Sequence, residues 1–388
     1  MDQFLKDTSL SAISAGFIAV VVGFASAMAI VFQAAQAAGA NTLQIESWVW
    51  ALGLGMGIST LALSLWYKRP LIIAWSTPGA ALLATSLTTT NLAQTTGTFL
   101  FVGALIFIVG ITGIFSRIGR SIPLPIASAM LAGVLVQFGL GLFTAIEQQA
   151  SLVLLLISSF LLLKRVVPRY AVPLVLVIGT IFCIWNGTFQ SQALSLNLAS
   201  PEFVMPEFSL SSMLGIGIPL FIVTMTSQNL PGVAILKSCG YTQQRISPLI
   251  TTTGITTLIF APFGGFTYNL AAITAAICAS KESHPDPDKR YIAGVSVGVF
   301  NIIAGLFGTA VVGLFAAFPQ ALVASIAGLA LLSTISSSFH NAFEKPQYRE
   351  AAMLTFLLTA SGISFFGIAS AFWGIVLGLL TVMISAKN

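Results

Sequence analysis

The sequence predicts an all-α, multi-pass membrane protein with 14 transmembrane segments arranged as a 7+7 inverted repeat. Three observations lead there. Of 388 residues, 56% are apolar and only 7% charged, with a mean hydropathy of +0.97, where a soluble domain carries about a quarter charged residues. All sixteen Lys and Arg fall in connections that would share one side of a bilayer. A glycine register also recurs between the two halves of the chain.

The cations stand at Lys6, Lys68/Arg69, Arg117/Arg120, Lys164/Arg165/Arg169, Lys237/Arg245, Lys281/Lys289/Arg290, Lys345/Arg349 and Lys387. The intervening connections carry acids alone, Glu46, Glu147, Glu202 and Glu207. By the positive-inside rule both termini are cytoplasmic and the number of spans is even. The net charge of +5 then reads as topology and contact with anionic membrane lipid, and no nucleic-acid partner is expected. Cys183, Cys239 and Cys278 form no ligand spacing, so neither a disulfide framework nor a metal site is expected. Residues 1–11, with Asp2, Lys6 and Asp7 and no small-residue cleavage site, read as a cytoplasmic lead into the first span.

A span needs about 20 apolar residues. In order, the segments are 12–34, 47–66, 71–89, 97–116, 122–142, 149–164, 170–187, 212–232, 246–261, 264–280, 292–314, 319–339, 349–364 and 366–386. The longest connection, 188–211, is polar and cation-free and divides the chain in two.

Gly103, Gly110 and Gly113 recur as Gly298, Gly305 and Gly308, Ala132-Gly133 recurs as Ala327-Gly328 at the same offset, and Pro123 nearly matches Pro319. Small residues also line ordinary helix contacts, and the chain has 34 glycines. Several matches in one register beside two prolines are read as a duplication. Seven is odd, so the second set enters the membrane from the opposite side, an architecture that places substrate at the midplane between interrupted helices.

Two interruptions occupy equivalent places, the third span of each half. In the first, an extended Leu71–Trp75 is followed by Ser76 or Thr77 as N-cap, Pro78 in the first turn, Gly79 and a helical run. In the second, Gly264-Gly265 disfavour helix and Thr267, before Tyr268 and Asn269, can cap the helix that follows. Five extended residues cover about 16 Å, half the hydrocarbon thickness. Non-helical backbone at that depth survives only where protein or a cavity satisfies it. Two helix starts would then offer N–H groups to an anion without any buried Lys or Arg. A simple proline kink is the alternative for Pro78.

Span 8 holds Thr224, Ser227, Gln228 and Asn229, with Thr224, Ser227, Gln228 and Pro231 on one face at helical spacing. Such groups are commonly interhelical glue; Pro231-Gly232 directly after them points to an interrupted helix with a functional role. Gln33 and Gln36 in span 1 are a weaker counterpart, equally suited to packing. Acidic, basic and histidine side chains are confined to connections and extreme span ends, so no carboxylate is available in the pathway for proton coupling. His284 and His340 lie in loops beside acids. Without a nucleophile–base pair, metal cluster or phosphate loop, the chain is not expected to be an enzyme, and no cofactor is expected.

At Trp75–Leu83, Pro219–Gly232, Ala271–Cys278 and Ala327–Ser336 the chain resembles the benzoate/proton symporter (BenE) family, essentially end to end. The resemblance implies the fold shared with uracil permease and the sulfate-transporter relatives, with short strands in discontinuous spans 3 and 10. It implies a core domain of residues 1–121 and 212–318 (spans 1–4 and 8–11) and a gate domain of 122–211 and 319–388 (spans 5–7 and 12–14). It also implies a bacterial inner-membrane location and homodimers. The nucleobase branch carries glutamates in spans 8 and 10; Thr224 and Asn269 stand there instead. That fits an aromatic acid whose carboxylate meets the helix ends while its ring packs on Trp75, Phe266 or Tyr268. The expected function is import of benzoate or a similar aromatic monocarboxylate with a proton, by an elevator-like or rocking motion. Alternatives are a passive anion channel or facilitator, a nucleobase or other organic-anion symporter, and a structural membrane protein.

Overall fold

The computed structural model describes residues 7–87, 90–115, 123–190 and 197–385. Lys6, Arg117, Arg120, Lys387 and the 121/122 boundary lie outside them. The first half of the chain contains α1 (Leu10–Ala37), α2 (Thr42–Tyr67), β1 (Ile73–Trp75), α3 (Thr77–Ser86), α4 (Leu92–Thr112), α5 (Leu124–Thr144), α6 (Ile146–Val166) and α7 (Ala171–Trp185). The second contains α8 (Leu210–Ser238), α9 (Ile246–Phe260), β2 (Tyr268–Leu270), α10 (Ile273–Cys278), α11 (Tyr291–Leu306), α12 (Gly308–Ala317) and α13 (Gln320–Phe343). It ends with α14 (Arg349–Ala360), the hairpin β3 (Ser364–Phe365) and β4 (Ile368–Ala369), and α15 (Ser370–Ser385).

Among the described residues eight helices are long and apolar enough to cross a membrane, nine if α11 and α12 count as one bent span. Large apolar side chains such as Leu161, Leu162 and Ile259 on these helices, and Val177 and Ile181 on the shorter α7, are exposed. In water such a surface would be costly; against lipid it is the expected finish. Asparagines start two of the helices. Asn41 and Gln44 form a reciprocal capping box on α2, each bond 2.9 Å, and Asn91 Oδ1 caps α4 from Gln94 N at 2.8 Å.

Three expectations are corrected. Span 11, expected to run 292–314, ends at Leu306, and α12 leaves it at 67°. The turn falls in Gly305-Leu306-Phe307-Gly308, where Gly308 lies close to the backbone of Glu46 and Trp50. Span 8 is not interrupted at Pro231-Gly232. It runs unbroken through two π-helical turns, Met213–Gly217 and Thr224–Asn229, each ending two residues before a proline, Pro219 or Pro231. A proline ring crowds the carbonyl four residues back, and a widened turn there makes room for it. His340, expected in a loop, lies in the last turn of α13.

The central feature is a two-stranded antiparallel ribbon. β1 and β2 pair Ile73 with Leu270, Ala74 with Asn269 and Trp75 with Tyr268, and backbone bonds continue outward from Ser76 N to Thr267 O (3.1 Å) and from Ala271 N to Ile72 O (2.9 Å). Its central pair, Ala74 and Asn269, stands 195 residues apart, the separation of Gly103 from Gly298. The outward N–H groups are all taken by neighbouring helices. Ile73 N donates to Thr60 Oγ1 (2.9 Å), Trp75 N to Met56 Sδ (3.2 Å), Tyr268 N to Thr257 Oγ1 (3.3 Å) and Leu270 N to Asn229 Oδ1 (2.9 Å). An edge that would be a defect in hydrocarbon is thereby closed.

Around the ribbon α2 packs along α11 and α4 along α9. Gly53 and Gly57 of α2 lie against Gly305 and Gly298 of α11, and Gly110 of α4 lies against Thr251 of α9. A second set packs α5 on α13 and α14, and α14 on α15. The segment between the halves is tied over the first set. Ala199 N donates to Leu306 O, Glu202 N to Ser47 Oγ, Val204 N to Pro262 O and Glu207 N to Ala93 O, all at 2.8–2.9 Å.

Thr60→Val leaves the buried Ile73 N–H without an acceptor and is expected to cost about 1–3 kcal/mol, seen as a lower thermal midpoint in detergent. Thr60→Ser should restore it. Equal midpoints for all three proteins would remove this role from Thr60.

Candidate functional site

Ser76 caps α3: its Oγ accepts from Gly79 N at 3.0 Å, and its carbonyl accepts from Ala80 N at 2.7 Å. Pro78 brings no N–H of its own. The start of α3 is thus formed as its sequence dictates, but most of its free donors are already used. Gly79 cannot be enlarged, since a Cβ there would meet Ser76 and Leu220. The second helix start differs from expectation. Thr267 does not cap it; Thr267 precedes β2, its Oγ1 accepting from Thr224 Oγ1 at 3.2 Å. α10 begins five residues later than that cap requires, has six residues and lacks a side-chain cap. The strand consumes the residues that the cap reading assigned to helix.

Span 8 divides for a related reason. In its π turn, bonds close over five residues, so Thr224 and Asn229 fall on one side, buried against β2. The face drawn at α-helical spacing through Thr224, Ser227, Gln228 and Pro231 is therefore split. Ser227 and Gln228 are half-buried and border a cavity of about 440 Å³. The cavity also meets β1 through Ala74 and Trp75, the start of α3 through Thr77 and Pro78, and α10 through Ala272–Thr274. Its other walls include the N-terminal half of α1, Met56 of α2, Pro168 and Val172, Asn301 of α11, and Ser333, Thr334 and Ser337 of α13.

Of the twelve residues singled out, Trp75, Thr77, Ser227 and Gln228 line this cavity. Trp75 meets Phe24 edge-on with ring centres 5.0 Å apart. Phe266 and Tyr268 are fully buried elsewhere. Phe266 packs with Trp48 and Phe99, and Tyr268 donates to Ala51 O at 2.7 Å. Asn269 is fully buried opposite Ala74 and does not line the cavity; its Nδ2 donates to Leu270 O at 3.0 Å and its Oδ1 has no partner. Phe24 gave no sequence signal. Ser333, Thr334 and Ser337 did, as polar residues at helical spacing in an apolar span. Gln33 and Gln36, with Gln137 and Gln320, line a larger cavity of about 990 Å³ near the opposite ends of the same helices. Among the described residues no group of His, Cys, Asp or Glu is placed to hold a metal.

A multi-pass helical fold with broken helices meeting beside a cavity defines a membrane transporter. The chain belongs to the BenE family, the benzoate membrane transport proteins, whose profile matches residues 6–384. It is 48% identical over 364 residues to the inner membrane protein YdcO of Escherichia coli (strain K12), covering 94% of this chain and 93% of that one. It is 41% identical over 382 residues to the benzoate membrane transport protein of Acinetobacter baylyi, covering 98% and 97%. Among solved structures it is similar to the transmembrane domain of the cyanobacterial bicarbonate transporter BicA, with TM-score 0.65 and 16% identity over 98% of this chain and 97% of that one. SLC26A9 matches with TM-score 0.67 and 11% identity, over 99% of this chain and 67% of that one. At these identities the likeness is one of fold.

The division of span 8 is testable. Ser227→Ala and Gln228→Ala are expected to weaken transport severalfold with the thermal midpoint unchanged. Thr224→Val and Asn229→Leu are expected to lower the midpoint by the equivalent of about 1–3 kcal/mol, because each leaves a buried polar partner unpaired. The reverse pattern would reassign the two faces.

Proposed function

We propose that the protein is a secondary carrier importing benzoate or a similar aromatic monocarboxylate together with a proton. The observation that carries this is the cavity itself: a Trp75–Phe24 wall for a ring, beside Thr77, Ser227 and Gln228 for a carboxyl group. Its size suits a single-ring acid with room to spare. In this reading the ribbon around Thr267–Asn269 backs the site, and Ser76 and Gly79 hold the start of α3 in place. Trp75 supplies the aromatic contact expected of it, while Phe266, Tyr268, Thr224 and Asn229 fix the ribbon rather than touch the solute.

The architecture in this reading is fourteen segments in two inverted sets, with both termini cytoplasmic by charge distribution. Support comes from the antiparallel pairing of Ala74 with Asn269 at the repeat separation, and from the matched packing of α2 on α11 and α4 on α9. Residues 1–121 and 212–318 form a core, 122–211 and 319–388 a gate, and a homodimer forms through the gate. Both cavities border helices of the two groups, near opposite ends. Sliding or rocking of core against gate would open one as it closes the other.

Proteoliposomes separate this carrier from a passive anion channel. Benzoate is expected to accumulate above its equilibrium distribution when an inward proton gradient is imposed, relative to protein-free vesicles. Bare equilibration under the gradient would favour the channel. Thr77→Trp is expected to abolish accumulation, and full activity in that variant would sink the site assignment.

A further inference from the structure

We propose that Asn301 of α11 is a solute-binding residue of this cavity and that it reads a hydroxyl group on the aromatic ring. The preferred solute is then a hydroxybenzoate-type acid, with bare benzoate the weaker ligand. This rests on the carrier reading above and narrows the solute class of the same site.

The case starts from depth and burial. Asn301 follows Tyr291, the first residue of α11, by ten residues. At 1.5 Å per residue that is about 15 Å along the helix, half the hydrocarbon thickness. An amide at such depth costs free energy unless it finds a partner. Asn301 is only 5% exposed and lines the cavity. Yet among the described residues its side chain has no hydrogen-bond partner. The usual duty of an amide in a membrane helix is a bond to a neighbouring helix, and that duty is absent here. α11 meets α2 through Gly298 and Gly305, and the part of Asn301 against Gly53 is its backbone carbonyl. The fully enclosed, unpaired side-chain atoms among the described residues are Gln149 Oε1, Asn269 Oδ1, Ser325 Oγ and Thr359 Oγ1. Neither amide atom of Asn301 is one of them. The amide therefore keeps contact with open space, and the open space that Asn301 borders is the cavity.

Chemistry then selects the ligand group. In the carrier reading the acid end of the solute meets Thr77 on α3 and Ser227 and Gln228 on α8. Asn301 enters from a different wall, one turn beyond Val297 on α11. A bare phenyl ring seated there would strip water from the amide and leave its donors and acceptor unmatched, which is unfavourable. An amide offers N–H donors and a carbonyl acceptor; a phenolic hydroxyl donates and accepts, so the two match. Ser333 and Thr334 of α13 add hydroxyl groups to the same cavity that a plain benzoate ring cannot use. A buried polar group placed for a substrate hydroxyl discriminates against the analogue lacking it far more strongly than an apolar wall does.

The test is calorimetric binding to the full-length protein in detergent at pH 7, with benzoate and the three monohydroxybenzoates as ligands. At least one hydroxy isomer is expected to bind about fivefold tighter than benzoate, the worth of one net hydrogen bond. In Asn301→Leu and Asn301→Ala that ratio should fall to about one, while the Kd of benzoate itself is unchanged or lower. Benzoate binding as tightly as every isomer would overturn the proposal and leave the carrier reading intact. A ratio preserved in both variants, including equal losses for benzoate and the isomer, would remove Asn301 as the hydroxyl contact. Failure of all four acids to bind the unaltered protein would overturn the carrier reading as well. Should neither variant fold, the methyl ether of the preferred isomer decides on the unaltered protein. Loss of the fivefold gain is expected, and a retained gain would overturn hydroxyl recognition.

Discussion

Everything in this structure turns on keeping a short piece of extended backbone satisfied where water cannot reach it. A helix closes its own hydrogen bonds; a three-residue strand does not, and in hydrocarbon each orphaned group is expensive. The ribbon solves half the problem by pairing β1 with β2, and the other half by recruiting Thr60, Met56, Thr257 and Asn229 from three different helices. Those helices must then approach closely, which is why glycines line the α2–α11 and α4–α9 contacts. Ribbon, glycine register and polar span residues are parts of one arrangement.

Much of this was legible where local chemistry speaks. Ser76, Pro78 and the apolar run after them announce a helix start, and the structure has Ser76 as its cap. The glycine register was also readable as small residues at helix contacts, and Gly103, Gly110, Gly298 and Gly305 lie at such contacts. The less legible features depend on partners far away in the sequence. Nothing near Thr267 says whether it caps a helix or borders a strand; pairing with β1 decides that. In so short a strand, which side Phe266 and Tyr268 take is set by the aromatic pocket of Trp48 and Phe99 and by Ala51 O. A π turn shifts every later residue relative to α-helical spacing, so the face drawn through span 8 was split by an effect that apolar periodicity does not register. The prolines two residues after each π turn are the trace it leaves.

The polar side chains therefore divide into two duties that composition cannot tell apart. Thr224, Asn229, Thr60 and Thr257 serve the backbone, while Thr77, Ser227 and Gln228 face open space. Both kinds sit at membrane depth, and both would be costly facing lipid. Burial separates them, since the first set is fully enclosed and the second half-exposed to the cavity.

The ribbon's centre has a consequence for how such a protein can change over generations. Ala74 and Asn269 face each other across the ribbon, yet one is a methyl group and the other an amide. The ladder between them is built from backbone alone, so either side chain can be exchanged without unpicking it. A lineage could reshape the cavity wall at Ala74 and alter the buried polarity behind it at Asn269, one substitution at a time. Symmetry in the main chain with asymmetry in the side chains leaves the scaffold conserved and the chemistry free to drift.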